Sequence, residues 1–197
     1  GGMEVGLVSA IVCRITYPGD LGYEIYVDRR HQVALYEALQ AAGQDLGLTP
    51  FGMRAMMSLR LEKSFGSWLR EFKPDYTPAE TGLDRFISFK KNDFIGRDAA
   101  VQARDNPPPR RLCTFVVEAA DADVVADEPI WKDGKVVGFV TSGGYAHFVG
   151  KSVALGFVPT DMIAEGAKFE IEILGDMRAA TLVTQQLLDP EGARMRG

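Results

Sequence analysis

The chain is poor in the residues that build metal centres. Its 197 residues include only two cysteines and two histidines. Cys13 and Cys113 stand alone, with no Cys-x-x-Cys pair and no Cys/His cluster, so a structural zinc site is not expected. They read instead as reduced core residues of a cytoplasmic-type compartment. His31 and His147 alone do not suggest a histidine metal site. No apolar run is long enough to cross a membrane, and no signal-peptide pattern is present, so no membrane partner is expected. Positive charge is in deficit: 22 Lys and Arg against 27 Asp and Glu give a net charge of −5, which argues against a general nucleic-acid binder. The Gly-rich run Ser142-Gly143-Gly144-Tyr145-Ala146-His147 has no helix pattern after it. It is therefore neither a dinucleotide fingerprint nor a P-loop. It reads as a loop between strands, either plain or closing over a ligand.

What remains is ordinary for a soluble globular chain: 46% hydrophobic and 25% charged residues, enough to bury a core. The fold class expected is α+β. Asn106-Pro107-Pro108-Pro109 is the best boundary, because three prolines continue neither a helix nor a central strand. It divides the chain into 1–105, mixed, and 106–197, β-rich. In the first part Asp28 caps a helix with an apolar face of Val33, Leu35, Tyr36, Leu39 and Ala42, and Gly43 is a plausible stop. Thr49-Pro50 opens a second helix. Its methionines, Met53, Met56 and Met57, suit core filling. The stretch 64–76 is irregular, either bordering a ligand or forming a structural loop pinned by Trp68. Thr77-Pro78-Ala79-Glu80 is a capping box, so Glu80 is a cap residue rather than an acid catalyst. Phe86-Ile87-Ser88-Phe89 reads as a strand, and a helix follows Gly96. Beyond the prolines, strands are expected near 110–118, 129–132, 135–142, 151–158, 168–174 and 178–187, with turns at Asp133-Gly134 and Gly175-Asp176. That spacing suits a small antiparallel β-barrel or jelly roll.

The richest stretch runs from Arg14 to Val27. Ile11, Cys13, Ile15 and Tyr17 alternate with polar or small residues, Pro18-Gly19-Asp20 is turn chemistry, and Tyr23, Ile25 and Val27 then oppose Glu24 and Tyr26. The pattern is strand, tight turn, strand. It leaves a carboxylate, Glu24, beside a turn and flanked by aromatics. Such a group can accept a ring N–H and a neighbouring amino group together, as a pterin or guanine-like ring presents them. It can equally be a solvent-facing strand residue, with Tyr17 a half-buried aromatic.

Tyr17-Pro18-Gly19-Asp20-Leu21-Gly22-Tyr23-Glu24-Ile25 resembles the signature of the glycine-cleavage T-protein (aminomethyltransferase) family. Ser58-Leu59-Arg60-Leu61-Glu62, Thr77-Pro78-Ala79-Glu80-Thr81-Gly82-Leu83, Asp93-Phe94-Ile95-Gly96, Gly138-Phe139-Val140-Thr141-Ser142-Gly143 and Ala154-Leu155-Gly156-Phe157-Val158 resemble later motifs of that family, in order. Phe51-Gly52-Met53-Arg54, Glu62-Lys63-Ser64-Phe65 and Trp68 are similar to the folate domains of dimethylglycine and sarcosine dehydrogenases. The resemblance implies part of a folate-binding α+β region followed by a C-terminal β-barrel. It implies tetrahydrofolate as cofactor, its pterin held by Glu24 with Tyr17 lining the cavity; Tyr145, on the Gly-rich run read as closing over a ligand, is a further candidate cofactor contact. It implies one-carbon transfer to tetrahydrofolate from a small amine substrate, either a methylated amine or a glycine-derived aminomethyl group. Met56 stands where the T-protein has an arginine. The family's catalytic aspartate has no match here, so the chain is expected to be a C-terminal fragment without a catalytic residue of its own. FAD would belong only to a missing upstream domain, and oligomers could form through the surface that a missing part exposes. A folate-dependent demethylase or a non-catalytic folate-binding or assembly module is the alternative.

Overall fold

The computed structural model describes residues 2–197. The described residues pack as two compact units, one of residues 2–60 with 191–197 and one of residues 61–190.

The first unit is built on a three-stranded antiparallel sheet, in the order β1 (Gly2–Val5), β2 (Val8–Cys13), β3 (Glu24–Tyr26). The β1 strand was not expected. A two-residue turn joins it to β2, with Gly6 at φ 60°, a conformation glycine adopts without strain. Val8 and Ala10 are buried on one face of β2, as period-2 alternation requires. An Ala38 methyl lies 3.4 Å from where a Cβ on Gly6 would stand, so α1 (Gln32–Gly43) approaches the hairpin closely there. Asp28 does cap, through the Arg30 amide at 3.0 Å, but it caps a 3-10 turn that leads into α1. Of the expected apolar face only Leu35 is buried; Val33, Tyr36 and Leu39 are exposed.

Two expectations fail in this unit. The strand does not continue to Tyr17. It ends at Cys13, where the Ile15 amide turns back to the Cys13 carbonyl at 3.0 Å, and a long connection covers 14–23. The second helix, α2 (Met53–Glu62), starts after Thr49-Pro50, because the Thr49 hydroxyl bonds back to the Gly47 carbonyl and the Gly52 carbonyl receives the first helical amide, Met56, at 3.2 Å. Met53 is exposed, and Met56 and Met57 are half-buried.

The second unit is dominated by a closed antiparallel barrel of six strands. They are β4 (Arg110–Val117), β5 (Pro129–Lys132), β6 (Lys135–Ala146), β7 (Lys151–Pro159), β8 (Lys168–Ile173) and β9 (Asp176–Val183), ordered β4-β7-β6-β5-β8-β9. Phe115 and Phe169 meet edge to face at 5.4 Å in its core, with Val124, Ile130, Ile171 and Leu182 packed around them. Two motif glycines are required by the closeness of β6 and β7. A Cβ on Gly138 would fall 1.9 Å from the Phe157 carbonyl oxygen, and one on Gly156 would fall 2.7 Å from that of Phe139.

The Asp133-Gly134 turn forms as expected; the other tight turn lies one residue early, at Leu174-Gly175. The Gly-rich run is not a loop: β6 continues through it and pairs with β7 as far as Ala146 opposite Lys151, past a bulge at Thr141. Phe86–Phe89 is not a strand either. Asp84–Phe86 forms a 3-10 turn and Phe86 is largely exposed, because the closed barrel offers no edge to pair with. The helix after Gly96 is α4 (Arg97–Asp105).

The 64–76 segment is irregular, but Trp68 is 77% exposed and pins nothing. Buried Glu71 does the pinning, accepting from the Ser67 amide at 2.6 Å and from the Ser142 hydroxyl at 2.5 Å. The Thr77–Glu80 capping box closes on both sides and starts α3 (Pro78–Thr81); Glu80 also pairs with Arg110 at 2.9 Å. No helix among the described residues is long and apolar enough to cross a membrane.

Candidate functional site

Glu24 opens β3, directly across from Cys13, and Tyr26 stands across from Ile11. All four side chains share one face of the sheet, opposite the face that buries Val8 and Ala10. Ile11 and Tyr26 are more than half exposed, and Glu24 is exposed with them. The same face also carries exposed Ser9 and, across from it on β1, exposed Glu4, so Ile11 and Tyr26 form an outward apolar patch with Glu24 beside it.

The Tyr26 hydroxyl donates a hydrogen bond to Glu24 Oε2. The bond and the charge of Glu24 push the Tyr26 phenol above its ordinary value. Strand periodicity places the two residues two apart on one face, so their contact is local and legible in the sequence once the strand is known. On the other side of β3, Ile25, Leu35, Tyr36 and Leu39, with Tyr26 at the rim, line an open groove of about 480 Å³.

The connection 14–23 carries Tyr17, which is half-buried. The Thr16 hydroxyl accepts from the Gly19 amide at 3.1 Å, and Gly19 takes φ 101°. A Cβ on Gly22 would approach Thr16 at 3.1 Å. The C-terminal helix α5 (Ala193–Arg196) holds this connection: Arg194 donates to Asp20 at 2.5 Å, and the Arg14 guanidinium donates to the Arg196 carbonyl. No sequence signal pointed to Arg194 or Arg196, because their partners lie at the opposite end of the chain.

The geometry can do one thing well. A carboxylate has about four lone-pair sites, so Glu24 can keep Tyr26 and still receive two parallel N–H donors from a flat ring laid on Ile11 and Tyr26. A reduced pterin has such an N–H and amino pair, so the residues fit that group. Tyr145 lies on β6 in the second compact unit, 41% exposed, with its ring edge-on to His147 at 5.0 Å. Both cysteines are free; burial pushes the Cys113 thiol up to about 11, against a smaller opposing pull from Arg111, which makes it a poor nucleophile. No group of three or more His, Cys, Asp or Glu that could hold a metal ion occurs among the described residues.

Comparison with known proteins agrees with this reading of the fold. Residues 2–91 match the GCVT N-terminal domain, and residues 110–189 match the glycine cleavage T-protein C-terminal barrel domain. Dimethylglycine dehydrogenase of Homo sapiens is 39% identical over 98% of this chain and 22% of its own length. The 4-methylaminobutanoate oxidase (formaldehyde-forming) of Paenarthrobacter nicotinovorans is 35% identical over 99% of the chain and 24% of its own. An aminomethyltransferase of Desulfitobacterium hafniense is 30% identical over 96% of the chain and 52% of its own. The crystal structure of the glycine cleavage system aminomethyltransferase T from Bartonella henselae superposes with a TM-score of 0.82 at 26% identity, over 91% of this chain and 50% of that one. The chain thus spans between about a fifth and about half of the length of these relatives. With the α+β elements, the closed barrel and both family models in agreement, the chain belongs to the glycine-cleavage T-protein superfamily, a family of folate-dependent one-carbon enzymes.

Proposed function

We propose that this chain supplies the pterin-holding part of a tetrahydrofolate-dependent one-carbon transferase. Glu24 orients the pterin by accepting its ring N–H and amino group, and Tyr17 contributes a further cofactor contact. The observation that carries the reading is an exposed carboxylate, Glu24, braced by Tyr26 and standing beside exposed Ile11 on the outward sheet face. When bound, tetrahydrofolate supplies the nucleophilic nitrogens that capture a one-carbon unit. The protein's part is to hold the ring and exclude water. Glu24 performs no proton transfer at the reacting carbon. The carbon donor is a small amine, methylated or glycine-derived, as the names of the relatives suggest. A boundary of the two functional domains at 105/106, before the proline spacer, is part of this reading; the gap between the two family matches, 92–109, supports it. The location proposed is a reducing compartment such as the cytoplasm, which suits two free cysteines; the mammalian relatives are named as mitochondrial. Association with further protein through the exposed apolar residues of the first unit belongs to the same reading.

The test is calorimetric titration of the chain with 5-formyltetrahydrofolate, beside Glu24→Ala. Loss of a charge-assisted bidentate pair weakens binding roughly 10- to 100-fold. Equal affinity in both proteins would remove Glu24 from the site.

A further inference from the structure

The second unit contains a cavity of about 490 Å³ that the folate reading does not use. It lies between α4, the start of α3 and the proline spacer. Its wall is mostly apolar: Ile87, Phe89 and Phe94 on one side, with Ala99 and Ala103 of α4 on the other. Those alanines lie at helical spacing i, i+4 on one face, and their small side chains leave the room. The size is that of a small-molecule site.

The charged lining residues are Arg104, Arg111 and Asp84, one net positive charge. Arg104 is occupied: it pairs with Asp105 at 2.8 Å and stacks over Phe89 at 5.0 Å. Arg111 is different. It is the second residue of β4, half-buried, on the strand parity of the core residues Cys113 and Phe115. Its side chain makes no hydrogen bond or ion pair among the described residues, whereas its neighbour Arg110 is paired with Glu80. A guanidinium carries five donors in a planar fork suited to a carboxylate, and here that fork lines an otherwise largely apolar cavity.

We propose that this cavity binds an amphipathic monocarboxylate, with the carboxylate on Arg111 and an aliphatic or aromatic body against Ile87, Phe94 and Ala103. The site is independent of Glu24. Asp84 disfavours a second negative charge, which selects a monoanion over a dianion.

The test is an amide NMR titration of the whole chain with decanoate, with decanol as the neutral control. Decanoate is expected to give saturable shifts around Ala99, Ala103 and Arg111. Arg111→Met should weaken decanoate about tenfold and leave decanol unchanged. Asp84→Asn should tighten decanoate. Ala103→Phe, which fills the cavity, should remove both ligands; if that variant does not fold, the Arg111→Met comparison decides alone. The proposal is overturned if the wild-type chain gives no saturable shifts there, or if Arg111→Met binds decanoate equally well. It is also overturned if the same residues shift with protein concentration and not with ligand, because a second copy would then be the occupant.

Discussion

Arg194 donates from Nε to Asp20 Oδ1 at 2.5 Å, joining residues 174 positions apart. With the Arg14 bond to the Arg196 carbonyl, it makes the last turn of the chain a strap across the 14–23 connection. Both side chains are about half exposed, so the pair itself is worth only about 0.2–1 kcal/mol. Its effect is local order. Arg194→Ala is expected to speed amide hydrogen exchange across 14–23 while leaving β4–β9 unchanged. Unaltered exchange in that connection would show that the strap holds nothing.

Tyr26 reports on Glu24. The hydrogen bond to Glu24, then its charge, raises the phenol above its ordinary value of 10.0. Glu24→Gln removes the charge and should bring the Tyr26 titration back toward that value. The difference in phenolate absorbance between the parent and the variant, with Tyr26→Phe used to subtract the other tyrosines, measures it. Identical titrations would mean that the two side chains do not meet in solution.

Glu80 ties stability to acid pH. Burial pushes its carboxyl up, but the Thr77 amide, the Arg110 guanidinium and the Thr77 hydroxyl together outweigh burial and hold it below its ordinary value. The folded pKa is thus lower than the unfolded one. The stabilisation is fully present above the unfolded value and is lost as pH falls through the folded value. Glu80→Gln is expected to cost about 1–2 kcal/mol near neutrality and to flatten the stability profile below about pH 5. Urea midpoints measured across that range decide it.

Lys63 is a buried cation of the second unit. Its side chain is fully buried and donates to the Leu188 carbonyl at 3.1 Å, the Asp189 carbonyl at 2.8 Å and the Asp189 carboxylate at 3.3 Å. Lys63→Met removes all three of these bonds from a fully buried position and leaves the Leu188 and Asp189 carbonyls without this donor, which should cost about 2–4 kcal/mol. Urea midpoints of Lys63→Met and the parent chain measure it, and an unchanged midpoint would show that the three bonds contribute nothing to stability.

Much of the barrel was legible in advance because its signals are local. Tight turns such as Asp133-Gly134 need positive φ at both positions, and only a few residue types tolerate it. The Thr77-Pro78-Ala79-Glu80 box is likewise complete within four residues. The Gly-rich run was misread because glycine signals both loops and close strand approach. Here Gly143 lies where a Cβ would fall 2.5 Å from the Val124 carbonyl oxygen, a contact invisible until β6 is placed. At the candidate site the sequence nominated Glu24 and Tyr17, but it drew the wrong backbone between them. A hairpin turn and a long strapped connection share the same Pro-Gly-Asp chemistry.

The sequence by itself determined the periodicities, caps and turns, and through them the α+β class, the order of the barrel strands along the chain and the carboxylate beside Tyr26. Each is set by φ/ψ preferences or by side-chain alternation acting over a few residues. Only the tertiary structure decided that the barrel closes, that Glu71 rather than Trp68 fixes the irregular segment, that Arg194 finds Asp20, and that Arg111 faces a cavity without a partner. These depend on groups far apart in sequence. Their pairing energies exist only after the entropy of bringing those groups together has been overcome.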